Sequence, residues 1–188
     1  MLAYVFWHVP RPGIAAREYE AAHREFHAVL WRSKVAGLVG LDVFRLDAIP
    51  WLGGMPGYED WHLLEDSTAL DVLNAAAISQ ARQLPHDRIA AMAADGTAGL
   101  YALRLGSRND ATRAHWISKP SGMSYRDFDT SLEPDIESGA CLWGRRMTLG
   151  PTPEFCLHEC AKRQPAHDAL SIALGPVFRF GRDRATGS

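Results

Sequence analysis

The chain has 188 residues, of which 47% are hydrophobic and 22% charged, as is usual for a globular protein. Its net charge of −2 argues against binding to nucleic acid or to an anionic membrane surface. No apolar run approaches the roughly 20 residues of a membrane span, and the N-terminus lacks a basic signal-peptide region. We therefore expect a cytoplasmic protein with reduced cysteines and no nucleic-acid or membrane partner.

The first half of the chain predicts alternating strands and helices. Residues 3–9 are β-branched and aromatic and predict a strand, which Pro10, Pro12 and Gly13 end. The next segment repeats apolar residues at helical spacing. The predicted elements are a strand at 3–9, a helix at 15–33, strands at 38–47 and 58–64, helices at 66–80 and 85–96, and a strand at 98–105. This is the order of a ferredoxin-like unit.

The second half predicts the same order again. Its elements are a strand at 113–118, a helix at 124–137, strands at 140–149 and 154–160, a helix at 164–174 and a strand at 177–180. Short echoes accompany it, since residues 7–13 resemble 116–122 and residues 37–41 resemble 139–143. We expect a first repeat at 1–106, a second repeat at 107–181 and a disordered tail at 182–188.

The predicted fold is α+β, with two tandem ferredoxin-like (βαββαβ) repeats that form an intramolecular α/β barrel. A ferredoxin-like sheet carries helices on one face only, so its other face needs a cover. Two sheets that face each other, with all helices outside, would bury both inner faces. We expect the helices to cover the residues that alternate on one side of the first sheet: Val5, Trp7, Val39, Leu41, Val43, Trp61 and Leu63.

The chain resembles the dimeric α/β-barrel superfamily, and its first half resembles the EthD-like branch. The turn Pro12-Gly13 after the first strand, the aromatic Tyr19 in the helix, and the ending from His27 to Leu30 carry this resemblance. Val29 stands where that branch has proline. The internal doubling removes the need for a dimer without forbidding one, so we expect a monomer or a homodimer. Because the superfamily holds monooxygenases, isomerases and haem enzymes, it does not select one reaction.

The predicted first helix carries two histidines one turn apart. His23 and His27 share a helix face at the border of the apolar stripe, a spacing that helical metal sites also use. Arg24 follows His23, where the zincin motif needs glutamate. The two histidines are then border residues, ligand-binding or acid–base groups, or ligands of a metal or haem.

Alternating strand residues predict a pocket inside the barrel. Aromatic and ionisable side chains share one face of the first and third strands, which we expect to run parallel: Tyr4, Phe6, His8, Tyr58, Asp60 and His62. Asp42 and Phe44 are expected beside them. His8, His62 or His27 would act as a base, with Asp60 or Asp42 orienting it. Alternatively, these groups lie solvated at strand ends, because a register slip of one residue reverses the face.

Further pocket residues are expected outside these two strands. His115 and Arg146 would bind ligand from the second half, together with Tyr125. Trp51 lies in a loop rich in glycine and proline, so we expect a lid over the pocket or part of a subunit interface. The remaining strand tryptophans are expected in the core.

The sequence thus favours binding of a small apolar or aromatic molecule, with cofactor-independent proton transfer or oxygenation as the reaction. No cofactor is expected. The alternatives are a haem-binding protein that uses a helical histidine, and a non-catalytic structural or assembly barrel.

Overall fold

The computed structural model describes residues 1–79, 82–160 and 167–181, and it contains one large antiparallel sheet with helices on its outside. The strands are β1 (Leu2–Pro10), β2 (Leu38–Ile49), β3 (Met55–Leu64), β4 (Ala93–Leu105), β5 (Arg113–Ile117), β6 (Cys141–Arg145), β7 (Phe155–Glu159), β8 (Ala169–Ala173) and β9 (Gly175–Phe180). The helices are α1 (Ala16–Arg32), α2 (Thr68–Ala77), α3 (Gln83–Met92), α4 (Tyr125–Ser131) and α5 (Glu133–Glu137), with a short 3-10 turn at Pro50–Leu52. A mixed fold with a large sheet is therefore confirmed.

The strand order is β8-β5-β7-β6-β4-β1-β3-β2-β9. Its first-half part, β4-β1-β3-β2, has the same relative order as its second-half part, β8-β5-β7-β6. Every pairing is antiparallel, including that of β1 with β3. The expectation of parallel β1 and β3 was wrong, because the hairpin that joins β2 to β3 reverses the chain.

The halves form one continuous sheet, and its inner face packs residues of both halves against one another in one core. Pairing between β4 and β6 joins them directly. At the ends of the sheet, β8 bonds to β5 and β9 bonds to β2, although Leu174 alone separates β8 from β9 in sequence. No ladder joins β8 to β9 in the described part of the chain, so the predicted barrel is not closed by hydrogen bonds.

Two predicted helices differ from the structure at places where the chain pairs with a neighbouring strand: one is a strand instead, and the other ends earlier. The predicted helix at 164–174 is strand β8 over Ala169–Ala173, while residues 164–166 lie outside the described residues. α3 ends at Met92 rather than near residue 96, because Ala93 already pairs with Pro10 of β1. In both cases, backbone bonds to a neighbouring strand outweigh the helix propensity of alanine and leucine. The tail at 182–188 also lies outside the described residues.

Four tryptophans lie on the sheet face that points away from the helices, which we call the interior core. Trp7 and Trp61 from the first half meet Trp116 and Trp143 from the second half there, and all four are at most 1% exposed. The predicted face was therefore reversed for β1 and β3. Their other residues face α1, while Leu41 and Val43 of β2 pack towards the helices as predicted.

The interior core also encloses two ionisable side chains. Glu59 accepts hydrogen bonds from the indole N–H groups of Trp7 and Trp61, each at 2.5 Å. Burial raises the pKa of Glu59 to about 7, more than these hydrogen bonds lower it. His158 lies against Trp61 with ring centroids 4.4 Å apart. Burial, helped by His115, lowers the pKa of His158 to about 3. Placing a charge on either side chain in this core costs free energy, because the surroundings are apolar.

Within the described residues, no helix has the length and apolar character needed to cross a bilayer.

Candidate functional site

A cavity of about 720 Å³ lies between the first-half sheet and helices α1, α2 and α3. Aromatic and aliphatic side chains form most of its wall, among them Phe6, Phe26, Leu73 and Ile89. Its floor carries a carboxylate and four histidines. This composition, mostly apolar with a few convergent polar groups, is that of a small-molecule site.

Strand alternation and helix periodicity bring five ionisable residues together on this floor. His8 of β1 and Asp60 and His62 of β3 lie on alternate positions of adjacent strands and face α1. His23 and His27 are one turn apart on α1 and face the sheet. All five are at most 6% exposed. We call these five residues the histidine cluster.

Asp60 is the centre of the histidine cluster. Its Oδ2 atom lies 2.7 Å from His23 Nε2 and 3.5 Å from His27 Nε2. Its Oδ1 atom lies 3.3 Å from His8 Nε2, but the orientation makes no hydrogen bond. Burial alone would raise the pKa of Asp60, yet attraction to His23 and His8 outweighs it and holds that pKa well below its usual value. Asp60 is therefore a buried carboxylate anion.

His27 and His62 form a pair beside Asp60. The Nδ1 atom of His27 lies 3.0 Å from the carbonyl oxygen of His23, which only accepts, so Nδ1 carries a proton. Neutral His27 then presents a lone pair at Nε2, 3.3 Å from His62 Nε2, which must donate. His62 Nδ1 is left buried and without a hydrogen bond of good geometry to the described residues. In this tautomer Nδ1 carries a lone pair and can accept a proton.

Three members of the histidine cluster, His8, His27 and His62, bind a proton weakly in the resting protein. Burial lowers the pKa of His8, more than Asp60 raises it. Burial also lowers the pKa of His62, against the smaller opposing effects of Asp60 and the Tyr4 backbone. The pKa of His27 is held well below its usual value by burial and then by His23. These three rings are neutral at pH 7.

Tyr19 extends the histidine cluster through a short hydrogen bond. Its hydroxyl lies 2.5 Å from His8 Nδ1, and the side chain is fully buried. Burial, followed by the charge of Asp60, raises the pKa of Tyr19, so the phenol stays protonated. The sequence analysis did not assign it a site role. Its position four residues before His23 was the available signal, because this spacing places both on one helix face.

Other predicted site residues lie elsewhere. Asp42 and Phe44 occupy the opposite sheet face, where Asp42 Oδ1 pairs with Arg108 and Arg179, each at 2.5 Å. His115 bonds to Glu159 at 2.9 Å in the second half, and Arg146 is exposed after β6. Trp51 packs in the interior core, 4.9 Å from Trp7 between ring centroids, so the expected lid was wrong.

Tyr4 and Tyr58 share the helix-covered face with the histidine cluster, on the side of the sheet opposite to the predicted barrel interior, and of the two only Tyr4 lines the cavity. The buried ring of Tyr58 stacks on Tyr19 and His8, and its hydroxyl donates to Glu20 at 2.9 Å. Tyr58 therefore packs against the histidine cluster without lining the cavity.

Comparison with known proteins shows the fold and no more. No family model matches the chain, and no curated protein matches it. The solved structure of a protein from Fusobacterium nucleatum, named a putative monooxygenase, aligns with a TM-score of 0.64 and 12% identity over 96% of this chain and 94% of that one. A protein named a putative chlorite dismutase aligns with a TM-score of 0.48 and 11% identity, over 94% and 95% of the two chains. The chain therefore has a fold of the ferredoxin-like α/β-barrel kind.

Proposed function

We propose that this protein binds a small, largely apolar or aromatic molecule in the cavity and removes a proton from it. The observation that carries the proposal is the neutral His62, whose buried Nδ1 atom lacks a good hydrogen bond beside an ionised Asp60. His62 is 6% exposed, whereas His8, His23 and His27 are 1–2% exposed. His62 thus has the most exposed side chain of the four histidines in the cluster.

The pair of His62 and His27 supports proton removal. When His62 Nδ1 accepts a proton from an acidic O–H or C–H group, the ring becomes positively charged. Its Nε2–H group already points at His27 Nε2, so the charge is shared across 3.3 Å. Asp60 Oδ2, 3.5 Å from His27 Nε2, stabilises that charge electrostatically, since both residues are at most 2% exposed. Tyr4 and Phe6 border the ligand from β1.

The alternatives from the sequence have weaker support. A haem ligand needs a histidine nitrogen directed into open space, but His23 Nε2 and His27 Nε2 are directed at Asp60, so the arrangement does not fit haem. Oxygenation after proton removal stays a prediction. A purely structural role leaves the unpartnered polar atoms of the histidine cluster unexplained.

We also propose that residues 1–106 and 107–181 are tandem copies of one unit, related to the EthD-like branch. The matching orders β4-β1-β3-β2 and β8-β5-β7-β6 support this proposal. On this view, only the first copy carries the reacting site, since the second has Ile136 where the resemblance leads one to expect the histidine.

The proposal can be tested with 2-naphthol, an aromatic phenol whose fluorescence distinguishes its neutral and ionised forms. We expect the wild-type protein to bind it and to increase the naphtholate signal, and we expect His62→Gln to bind it with at least about a tenfold smaller increase. The measurement is a fluorescence titration in EDTA at constant pH.

His115→Gln is the matched control, because His115 is also buried beside a carboxylate but lies outside the cavity. It should behave as wild type. A naphtholate signal in His62→Gln equal to that of the wild type would exclude His62 as the base.

A further inference from the structure

The histidine cluster contains buried atoms that the protein itself does not satisfy. His8 Nε2 and Asp60 Oδ1 both lack a hydrogen-bond partner in the described chain, although both side chains are at least nine-tenths buried. A buried polar atom without a partner destabilises the folded protein. A cation between them would satisfy both atoms at once.

We propose that His8, His23 and Asp60 bind one first-row divalent metal ion. This inference goes beyond the proposed proton transfer and departs from the expectation that no cofactor is needed. The His8 Nε2 atom, the His23 ring and the Asp60 carboxylate offer ligand atoms that all lie within 4.8 Å of one another. Two imidazoles and one carboxylate form a set that binds Fe²⁺ or Zn²⁺ and leaves positions open for ligand or water.

The existing distances need little adjustment. Metal–nitrogen bonds of about 2.0 Å place neighbouring tetrahedral ligands about 3.3 Å apart. The His23 Nε2–Asp60 Oδ2 distance is 2.7 Å and the His8 Nε2–Asp60 Oδ1 distance is 3.3 Å. The His8–Asp60 pair therefore already has this spacing, whereas the His23–Asp60 pair would have to open by about 0.6 Å. The anionic Asp60 offsets part of the charge of the ion.

The surroundings orient the ligands as metal sites do. A ligating histidine usually donates its second ring N–H to a fixed acceptor. His8 Nδ1 has such a partner in the Tyr19 hydroxyl, 2.5 Å away, which directs Nε2 at Asp60. His23 Nδ1 has no partner among the described residues, so its ring is held by α1 and by Tyr58, which it meets edge to face at 5.7 Å.

The arrangement leaves His62 and His27 free beside the ion. Their paired Nε2 atoms need not change for His8, His23 and Asp60 to bind metal. A metal-bound oxygen of the ligand and the His62 base would then share one cavity.

The test uses Co²⁺ as the probe, added to EDTA-treated full-length protein. Visible d–d absorption and elemental analysis after desalting should show about one Co²⁺ per chain in the wild type. His23→Gln and the isosteric Asp60→Asn should each bind Co²⁺ at least about tenfold more weakly. His115→Gln is the control and should bind as the wild type does.

Two results would overturn the metal proposal: a wild-type protein, folded by circular dichroism, that binds no Co²⁺, or a folded Asp60→Asn variant that binds it as tightly as the wild type. His62→Gln separates the two proposals, because it should keep one Co²⁺ while losing the naphtholate signal. Intact Co²⁺ binding without any naphtholate signal in the wild type would overturn only the proton transfer.

Discussion

Replacing Trp116 with alanine is expected to lower the free energy of unfolding by about 4 kcal/mol, the largest effect among our predictions. Trp116 is 1% exposed and contacts Trp7, Trp51 and Tyr101, with ring centroids 5.2–5.6 Å apart. Its Nε1 atom has no hydrogen-bond partner among the described residues, so the loss is one of packing. Urea unfolding followed by circular dichroism measures it.

Trp31→Ala is the matched control for this change. Trp31 lies half-buried on α1 and stacks on Phe180 at 6.3 Å, so its removal should cost no more than about 1 kcal/mol. Because Trp116 and Trp7 come from different halves and share the interior core, we expect one cooperative transition in the wild type. Two separate transitions would show that the halves fold independently, and equal effects of both variants would contradict the packing role of Trp116.

Replacing His158 with phenylalanine should make the protein markedly less sensitive to acid. The pKa of His158 is about 3 in the folded protein. In the unfolded chain, histidine binds a proton near pH 6.5, so the unfolded state gains protons first as the pH falls. The stability contributed by neutral His158 is full above pH 6.5 and is lost between there and pH 3. Between pH 7 and pH 4 this loss amounts to about 3 kcal/mol.

The measurement is the difference in unfolding free energy between His158→Phe and the wild type at several pH values from 7 to 4. We expect the variant to gain about 3 kcal/mol relative to the wild type over this range. His86→Gln, which changes a histidine with a 34% exposed side chain, should follow the wild-type curve. A constant difference between His158→Phe and the wild type would mean that the buried ring accepts a proton readily.

Much of the local structure was predictable because local patterns determine it. The alternation in β1 and β3 and the stripe on α1 gave the right grouping of side chains. The alternation could not show which face of the strands lies against α1 and which faces the interior core, since both faces of β1 are largely apolar. The face with Trp7 and Trp61 meets tryptophans from a distant part of the chain, and no local pattern encodes that contact.

The same limit applies to the candidate site. His8, Asp60 and His62 were placed together, and His27 was named as an alternative base, but nothing in the sequence showed that α1 brings His23 and His27 against these strand residues. They meet because α1 covers the face that carries His8. Residues 169–173 show the opposite case, since their composition favours a helix until the edge of β5 offers backbone partners.

The position of β9 has a consequence for synthesis of the protein. β9 protects the outer edge of β2, and its Arg179 binds Asp42 across 137 residues of sequence. A ribosome that adds about 5–20 residues per second exposes that edge for roughly 6–26 s before β9 exists. A nascent chain stalled before Gly175 would therefore present an open strand, with Asp42 lacking one of its arginines, to other nascent chains. Holding chaperones would act on this protein in that interval.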